Sequence, residues 1–481
     1  RMIGLLFGDT DLPKQILKKI GCWLDDRGGF SDLLKPLTTH LVPPESTWNY
    51  VWGSATLFCF ILQVITGIAL GFLYQPSVDV AYQSLQYIEN QAFMGSFIRG
   101  LHNWGASGMV FLMGMHMIRV YLNAAYKYPR EMSWITGVVL MVITIIMAFT
   151  GQLLRWDNNG VWSAIVAAEQ MGRIPLIGDS LAYFLLGGDT IGGETLNRFF
   201  AMHVFLFPAL LFLFVGYHLF LVFRNGISEP PKVGRLVNPK TYKKWYEDML
   251  LKKGVPFFPD AIWRDAVFSA LVLIVIVCLA WFIGAPELSS KPDLTNVNSN
   301  PKPDWYFTWI FALFALMPRE IESYVMFLGP LLGGILLFAI PFLSNKGERS
   351  PLRRPWAIAG VVFIILTISS LWYIGIQEPW SPRFDAKPLS EYTTVPDASP
   401  EIKKGIELFN TVGCIYCHRI GKQGGIRGPE LTNVQNRLTK DQMVIRIVNG
   451  AENMPAYGGS LSKDELEAIV VFLLSKEKNP I

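Results

Sequence analysis

The chain has 481 residues, 51% of them hydrophobic and only 17% charged, against about 25% charged in soluble domains. Mean hydropathy is +0.33, which excludes a wholly soluble protein, and the modest net charge of +4 gives no ground for a nucleic-acid partner. Five cysteines are scattered, and only Cys414 and Cys417 lie close together, so a disulfide framework is excluded too.

Residues 1–47 are mixed and polar, with Lys14, Lys18 and Lys19 on an amphipathic helix predicted to lie at the membrane surface. Apolar runs long enough to span a bilayer follow at 51–73, 99–121, 134–154, 199–223, 266–284, 324–343 and 356–376. The expected fold is an all-α membrane protein with seven transmembrane helices. Loops alternate in charge. The N-terminal segment and loops 122–133, 224–264 and 344–355 carry 21 Lys and Arg, against 6 in loops 74–98, 155–198 and 285–323. By the positive-inside rule the first set is cytoplasmic, and everything after residue 376 lies outside.

Two of the runs carry His102 and His116, and His203 and His218, four of the six histidines in the chain. Steps of 14 and 15 residues are close to four helical turns, so each pair keeps its imidazoles on roughly one face, ~21 Å apart along the axis. Side by side, the two helices oppose His102 to His203 and His116 to His218. Two stacked bis-imidazole sites follow, each suited to the iron of a haem. Gly53 and Gly67, and Gly137 and Gly151, repeat the 14-residue period in two further runs. Any one glycine could simply pack membrane helices, but two pairs on the histidine period point to backbone making room for a flat macrocycle.

After residue 376 comes a linker, 377–399, rich in Pro, Ser and charge, which reads as a tether. Residues 400–481 then form a small all-α domain. Its Cys414-Ile415-Tyr416-Cys417-His418 is the attachment sequence of a c-type haem, in which both thiols bond the porphyrin and His418 ligates iron. Met454 is the expected sixth ligand, with Met443 the competitor, although Met443 falls in a helix-like stretch. Covalent haem attachment of this kind agrees with a domain on the outer side.

These motifs resemble cytochrome b of the quinol–cytochrome c oxidoreductases, from Lys14 to about Pro231. The 14-then-15 spacing and the phrases Val42-Pro43-Pro44, Pro129-Arg130-Glu131 and Ile174-Pro175-Leu176-Ile177-Gly178 resemble its chloroplast and cyanobacterial branch. Spans five to seven resemble that branch's separate second subunit, and the tail is similar to a class I cytochrome c. The implied layout is a four-helix dihaem part at 48–231, a cytoplasmic loop at 232–264, and a three-helix part with the quinol-site loop at 265–376. The resemblance gives His102 and His203 to an outer b haem and His116 and His218 to an inner one. It also implies that Arg99 and Arg119 pair with haem propionates, and that Arg224 lies near an inner quinone site.

The resemblance further implies that Pro303-Asp304-Trp305-Tyr306 lines a quinol oxidation site, with Asp304 taking a proton and Tyr306 beside it. Asp where Glu is usual resembles members that use menaquinone. The competing reading of Asp304 is a cap for the short helix that follows. Two features depart from the family. Val51 stands where the chloroplast branch has a haem-binding Cys, so no third haem is expected in the membrane part, and Arg155 stands where Pro usually precedes the Trp.

Together these features imply a quinol-oxidising subunit of a bc-type complex in a bacterial cytoplasmic membrane, holding two non-covalent b haems and one covalent c haem. The partners expected are a separate Rieske-type iron–sulfur protein, a soluble cytochrome c or oxidase, quinone, lipid and a second copy of the complex. The other class to weigh is a dihaem anchor that only conducts electrons between quinone and a separate dehydrogenase or reductase.

Overall fold

The computed structural model describes residues 11–29, 32, 35, 39–172, 174–188, 190–292, 303–317, 319–377, 386–389, 398–425, 428–450, 454 and 456–475. Residues 1–10, most of the 377–399 linker, Pro455 and the tail after 475 lie outside the described residues. Seven helices are long and apolar enough to cross a membrane: Trp52–Gly71, Gly95–Leu122, Glu131–Leu153, Gly193–Asn225, Phe257–Phe282, Tyr324–Leu343 and Pro355–Gln377. We number them spans one to seven. Helices suit such runs because lipid satisfies no backbone polar group, so each segment must bond within itself. Glu131 stands in the first turn of span three, where a carboxylate suits the positive end of the helix dipole. Gly226, at a φ of 66°, ends span four.

The chain falls into two compact units. The first comprises Arg1–Gly151, Asn197–Glu287 and Gly329–Phe363. At its core, Ala55, Cys59 and Phe60 of span one meet Met109 and Leu112 of span two, Ile143 of span three, Leu211 of span four and Ile276 of span five. Side chains such as Ile65, Leu213 and Leu332 point outward and offer an apolar surface to acyl chains. At one end of the spans, Leu41–Val42 pairs antiparallel with Val255–Pro256, and Leu236–Val237 with Gly347–Glu348. Lys127 reaches Ser344 Oγ at 3.0 Å and the Lys346 carbonyl at 2.6 Å. The four segments assigned to one side by charge are therefore joined to one another.

The second unit comprises Gln152–Leu196, Leu288–Leu328 and Ile364–Ile481. Its helix Asn158–Gly172 starts against the 285–292 segment, where Asn158 N–H donates to the Ser290 carbonyl at 2.9 Å. The apolar run before span six forms only the eight-residue helix Thr308–Ala315, too short to cross a bilayer. The C-terminal part packs Ile406, Phe409, Ile447, Ile469 and Phe472 around one small core. Ser399, Thr439 and Ser462 cap its three main helices, the last two in reciprocal capping boxes. Leu389 is buried in the same core, and Asn410 holds it through both its N–H and its carbonyl. The folded domain thus includes a residue of the segment read as linker.

Candidate functional site: two histidine pairs, an acid–tyrosine pair and a CxxCH turn

Span two places His102 and His116, and span four places His203 and His218. The His102 and His203 rings face each other with centroids 6.4 Å apart. That separation leaves room for one metal atom bonded to each ring at ~2 Å. His116 and His218 lie within electrostatic range of one another. A Cβ on Gly151 would come within 2.7 Å of the His203 ring, and one on Gly53 within 2.9 Å of His116. On Gly67 the approach would be 3.3 Å to His102, and on Gly137 3.6 Å to His218. Each predicted glycine therefore backs its own histidine, and the first two leave no space for a side chain.

Three threonines that the sequence reading passed over complete the arrangement. Thr66 Oγ1 lies 2.9 Å from His102 Nδ1, Thr136 Oγ1 2.8 Å from His218 Nδ1, and Thr150 Oγ1 3.1 Å from His203 Nδ1. Each hydroxyl gives its one hydrogen to a backbone carbonyl of its own helix: Leu62 at 2.7 Å, Met132 at 3.0 Å and Met147 at 3.0 Å. The hydroxyl oxygen must then accept from the imidazole, so Nδ1 carries the proton and Nε2 keeps its lone pair. That is the tautomer that ligates metal through Nε2. His116 Nδ1 makes no hydrogen bond among the described residues. Opposed rings, close-backed glycines and free Nε2 atoms together fit two haem irons.

The predicted arginines differ from each other. Arg99 donates to Glu89 and to the Pro286 carbonyl at 2.8 Å, so it already has an acidic partner, one the sequence reading missed. Arg119 stacks over the Tyr50 ring at 3.7 Å, and its Nε and Nη2 are buried without a hydrogen bond among the described residues. Arg119 fits an incoming carboxylate better than Arg99 does. Arg224 is exposed.

Asp304 does not cap the helix Thr308–Ala315, whose first residue receives no side-chain cap. Its carboxylate instead accepts from the Tyr306 hydroxyl at 2.7 Å. Burial pushes the Asp304 carboxyl up from its ordinary value, while the Tyr306 hydrogen bond and the Arg155 guanidinium oppose that rise. Burial, and then the adjacent Asp304 carboxylate, push the Tyr306 hydroxyl far up as well, so it stays a donor. Arg155 is held by Asp157 at 2.5 Å. Asp157 is fully buried and also accepts from Gly160 N–H at 2.8 Å and Ser289 N–H at 2.9 Å.

In the C-terminal domain Cys414 and Cys417 sit on one short helical turn and are not joined in a disulfide, and burial pushes the Cys414 thiol up to about 12. His418 Nδ1 lies 2.9 Å from the Pro429 carbonyl, the orientation in which an imidazole ligates metal through Nε2. Gly428 backs the His418 ring so closely that a Cβ would collide with it. Met454 packs on the rim of the core, whereas Met443 is 2% exposed inside it. The thiols, the oriented imidazole and a peripheral thioether fit a c haem.

Comparison with known proteins matches these parts in order. The family described as Cytochrome b/b6/petB matches residues 37–226, and Cytochrome b(C-terminal)/b6/petD matches residues 295–391. Residues 400–473 match Cytochrome C oxidase, cbb3-type, subunit III. Cytochrome b6 of Crocosphaera subtropica is 40% identical over 212 residues, 44% of this chain and 96% of that protein. Cytochrome b6 of Acaryochloris marina is 40% identical over 214 residues, 44% of this chain and all of that protein. Among solved structures, a hyperthermophilic respiratory complex III aligns with a TM-score of 0.63 and 27% identity, over 74% of this chain and 91% of its own. The likenesses imply haem b and haem c and identify a bc-type electron-transfer subunit, the redox part of a quinol oxidoreductase complex. The chain belongs to the cytochrome b/b6 family, and it carries a cytochrome c domain on the same polypeptide.

Proposed function

We propose that this chain oxidises a quinol, menaquinol by the nature of Asp304, at a site formed around Asp304 and Tyr306 on the outer side of a bacterial cytoplasmic membrane. The observation that carries this reading is the half-buried Asp304 carboxylate, raised by desolvation and engaged by the Tyr306 hydroxyl. Quinol oxidation releases two electrons and two protons, so the site needs a base of near-working affinity where the hydroxyl docks. Tyr306 occupies Asp304 Oδ2 and leaves Oδ1 to accept the quinol proton. When bound, two b haems supply a one-electron route across the membrane and a c haem supplies one toward a soluble carrier or oxidase. His102 and His203, and His116 and His218, hold the first two groups, and Arg119 offers its free donors to a carboxylate on the inner one. Cys414, Cys417, His418 and Met454 hold the third. The first electron goes to a Rieske-type protein on another chain, in a complex that pairs with a second copy of itself.

The test is quinol-dependent reduction of the c haem in purified complex. The expected result is reduction by menadiol that is blocked by outer-site quinol inhibitors, with two non-covalent b haems and one covalent c haem per chain. A b haem reduced by menadiol, with the c haem untouched while the iron–sulfur protein is present, would make the chain a dihaem anchor.

A further inference from the structure

Three of the four imidazoles share one device and the fourth lacks it. Thr66 precedes Gly67, Thr136 precedes Gly137 and Thr150 precedes Gly151, so the residue before the close-backed glycine supplies the hydroxyl in each case. At Gly53, behind His116, the preceding residue is Trp52, which packs edge-on against Phe268 at 5.3 Å. His116 Nδ1 is accordingly the one Nδ1 of the four left without a hydrogen bond among the described residues. The His102/His203 pair has both rings anchored, and the His116/His218 pair only one.

An imidazole whose Nδ1–H is given to an acceptor carries more electron density at Nε2 and is a stronger donor to a metal. Stronger donation favours the oxidised iron and lowers its potential. We infer that Thr66, Thr136 and Thr150 are positioning residues that strengthen His102, His218 and His203 as ligands, and that Trp52, standing in the place of a fourth threonine, makes the His116/His218 haem the more readily reduced of the two. The inference rests on the histidine pairs as haem ligands and goes beyond that reading by assigning the difference between the sites to one side chain.

The test is a redox titration of both b haems in the purified complex, with low-spin electron paramagnetic resonance to tell the two signals apart. Thr66→Val and Thr150→Val keep shape and remove the hydroxyl acceptor, and each should raise the potential of the His102/His203 haem alone, Thr66→Val the more, because the His203 ring also bonds the Met147 backbone. Thr136→Val should raise the other haem alone, and Trp52→Thr should lower it. The expected size is on the order of a tenfold change in the reduction equilibrium, ~59 mV for one electron. Valine variants that keep both haems with unchanged potentials overturn the inference, as do variants that move both haems equally. Should Trp52→Thr lose its haem because the Phe268 contact is gone, the three valine variants decide the matter alone. A wild-type complex without two b-type signals would instead defeat the ligand assignment on which the inference stands.

Discussion

A Cβ is the smallest side-chain addition, and the four glycines behind the histidines grade its effect. Gly151→Ala would press a methyl to 2.7 Å from the His203 ring, inside any van der Waals contact, whereas Gly137→Ala would leave 3.6 Å to His218. Gly151→Ala should therefore lose the His102/His203 haem, while Gly137→Ala should keep the full b-haem absorbance. Equal loss in both would mean that the glycines serve helix packing alone. Met454→Ala should leave the c haem attached through Cys414 and Cys417 and lower its potential, since a thioether ligand raises it. A potential that stays put would move attention to Met443, although Met443 is buried in the core. Histidines and glycines were legible in sequence because both are uncommon in such a pattern and fall on one period. The threonines were not, because a threonine in an apolar helix ordinarily bonds the preceding turn of its own backbone. Here it does that and accepts from a ring on another helix as well, which only the third dimension reveals.

Between spans, the proposed quinol site draws on two short stretches, Arg155–Asp157 after span three and Asp304–Thr308 before span six. Burial raises the Asp304 carboxyl and Arg155 works against that rise. Asp304→Asn removes the base, and quinol oxidation should slow by roughly 10²–10⁴-fold while the b-haem content holds. A mutant within about twofold of wild type at every pH would take Asp304 out of the mechanism. Arg155→Gln removes the cation that favours the ionised form, so the Asp304 carboxyl should rise further. The proposed base acts in its ionised form, so the acid limb of the pH–rate profile should move to higher pH, and Arg155→Lys should restore it. A profile merely scaled down at all pH values would reduce Arg155 to a structural prop for Asp157. The tetrapeptide was legible as a unit, but whether Asp304 capped the following helix was open until the helix start and the Tyr306 bond were seen. The Glu89 partner of Arg99 was hidden for a plainer reason: it lies on a separate short helix, Ala81–Asn90, and no local pattern links the two.

At the scale of the whole membrane part, the loops on the charge-rich side are held by a buried polar knot. Glu229 is paired with Arg349, with side chains 5% and 3% exposed. Its second oxygen accepts from the Tyr242 hydroxyl at 2.5 Å. Tyr242 in turn accepts from Arg130 at 2.9 Å, and Arg130 also donates to the Gly226 carbonyl at 2.8 Å. The knot thus ties the end of span four to the loops before spans three and seven. A buried ion pair gains little over a well-packed apolar pair, but removing one partner leaves the other charge stranded. Glu229→Ala should therefore cost about 3–5 kcal/mol, read as an earlier loss of the b-haem absorbance on heating. Glu229→Leu combined with Arg349→Leu should cost markedly less than Glu229→Ala, because the stranded Arg349 charge is gone and the remaining Arg130 guanidinium is still met by the Tyr242 hydroxyl and backbone carbonyls. Costs that simply add in the double variant would show that the two side chains act separately, and that the loops are held by their backbone pairing at Leu236–Val237 and Gly347–Glu348 instead.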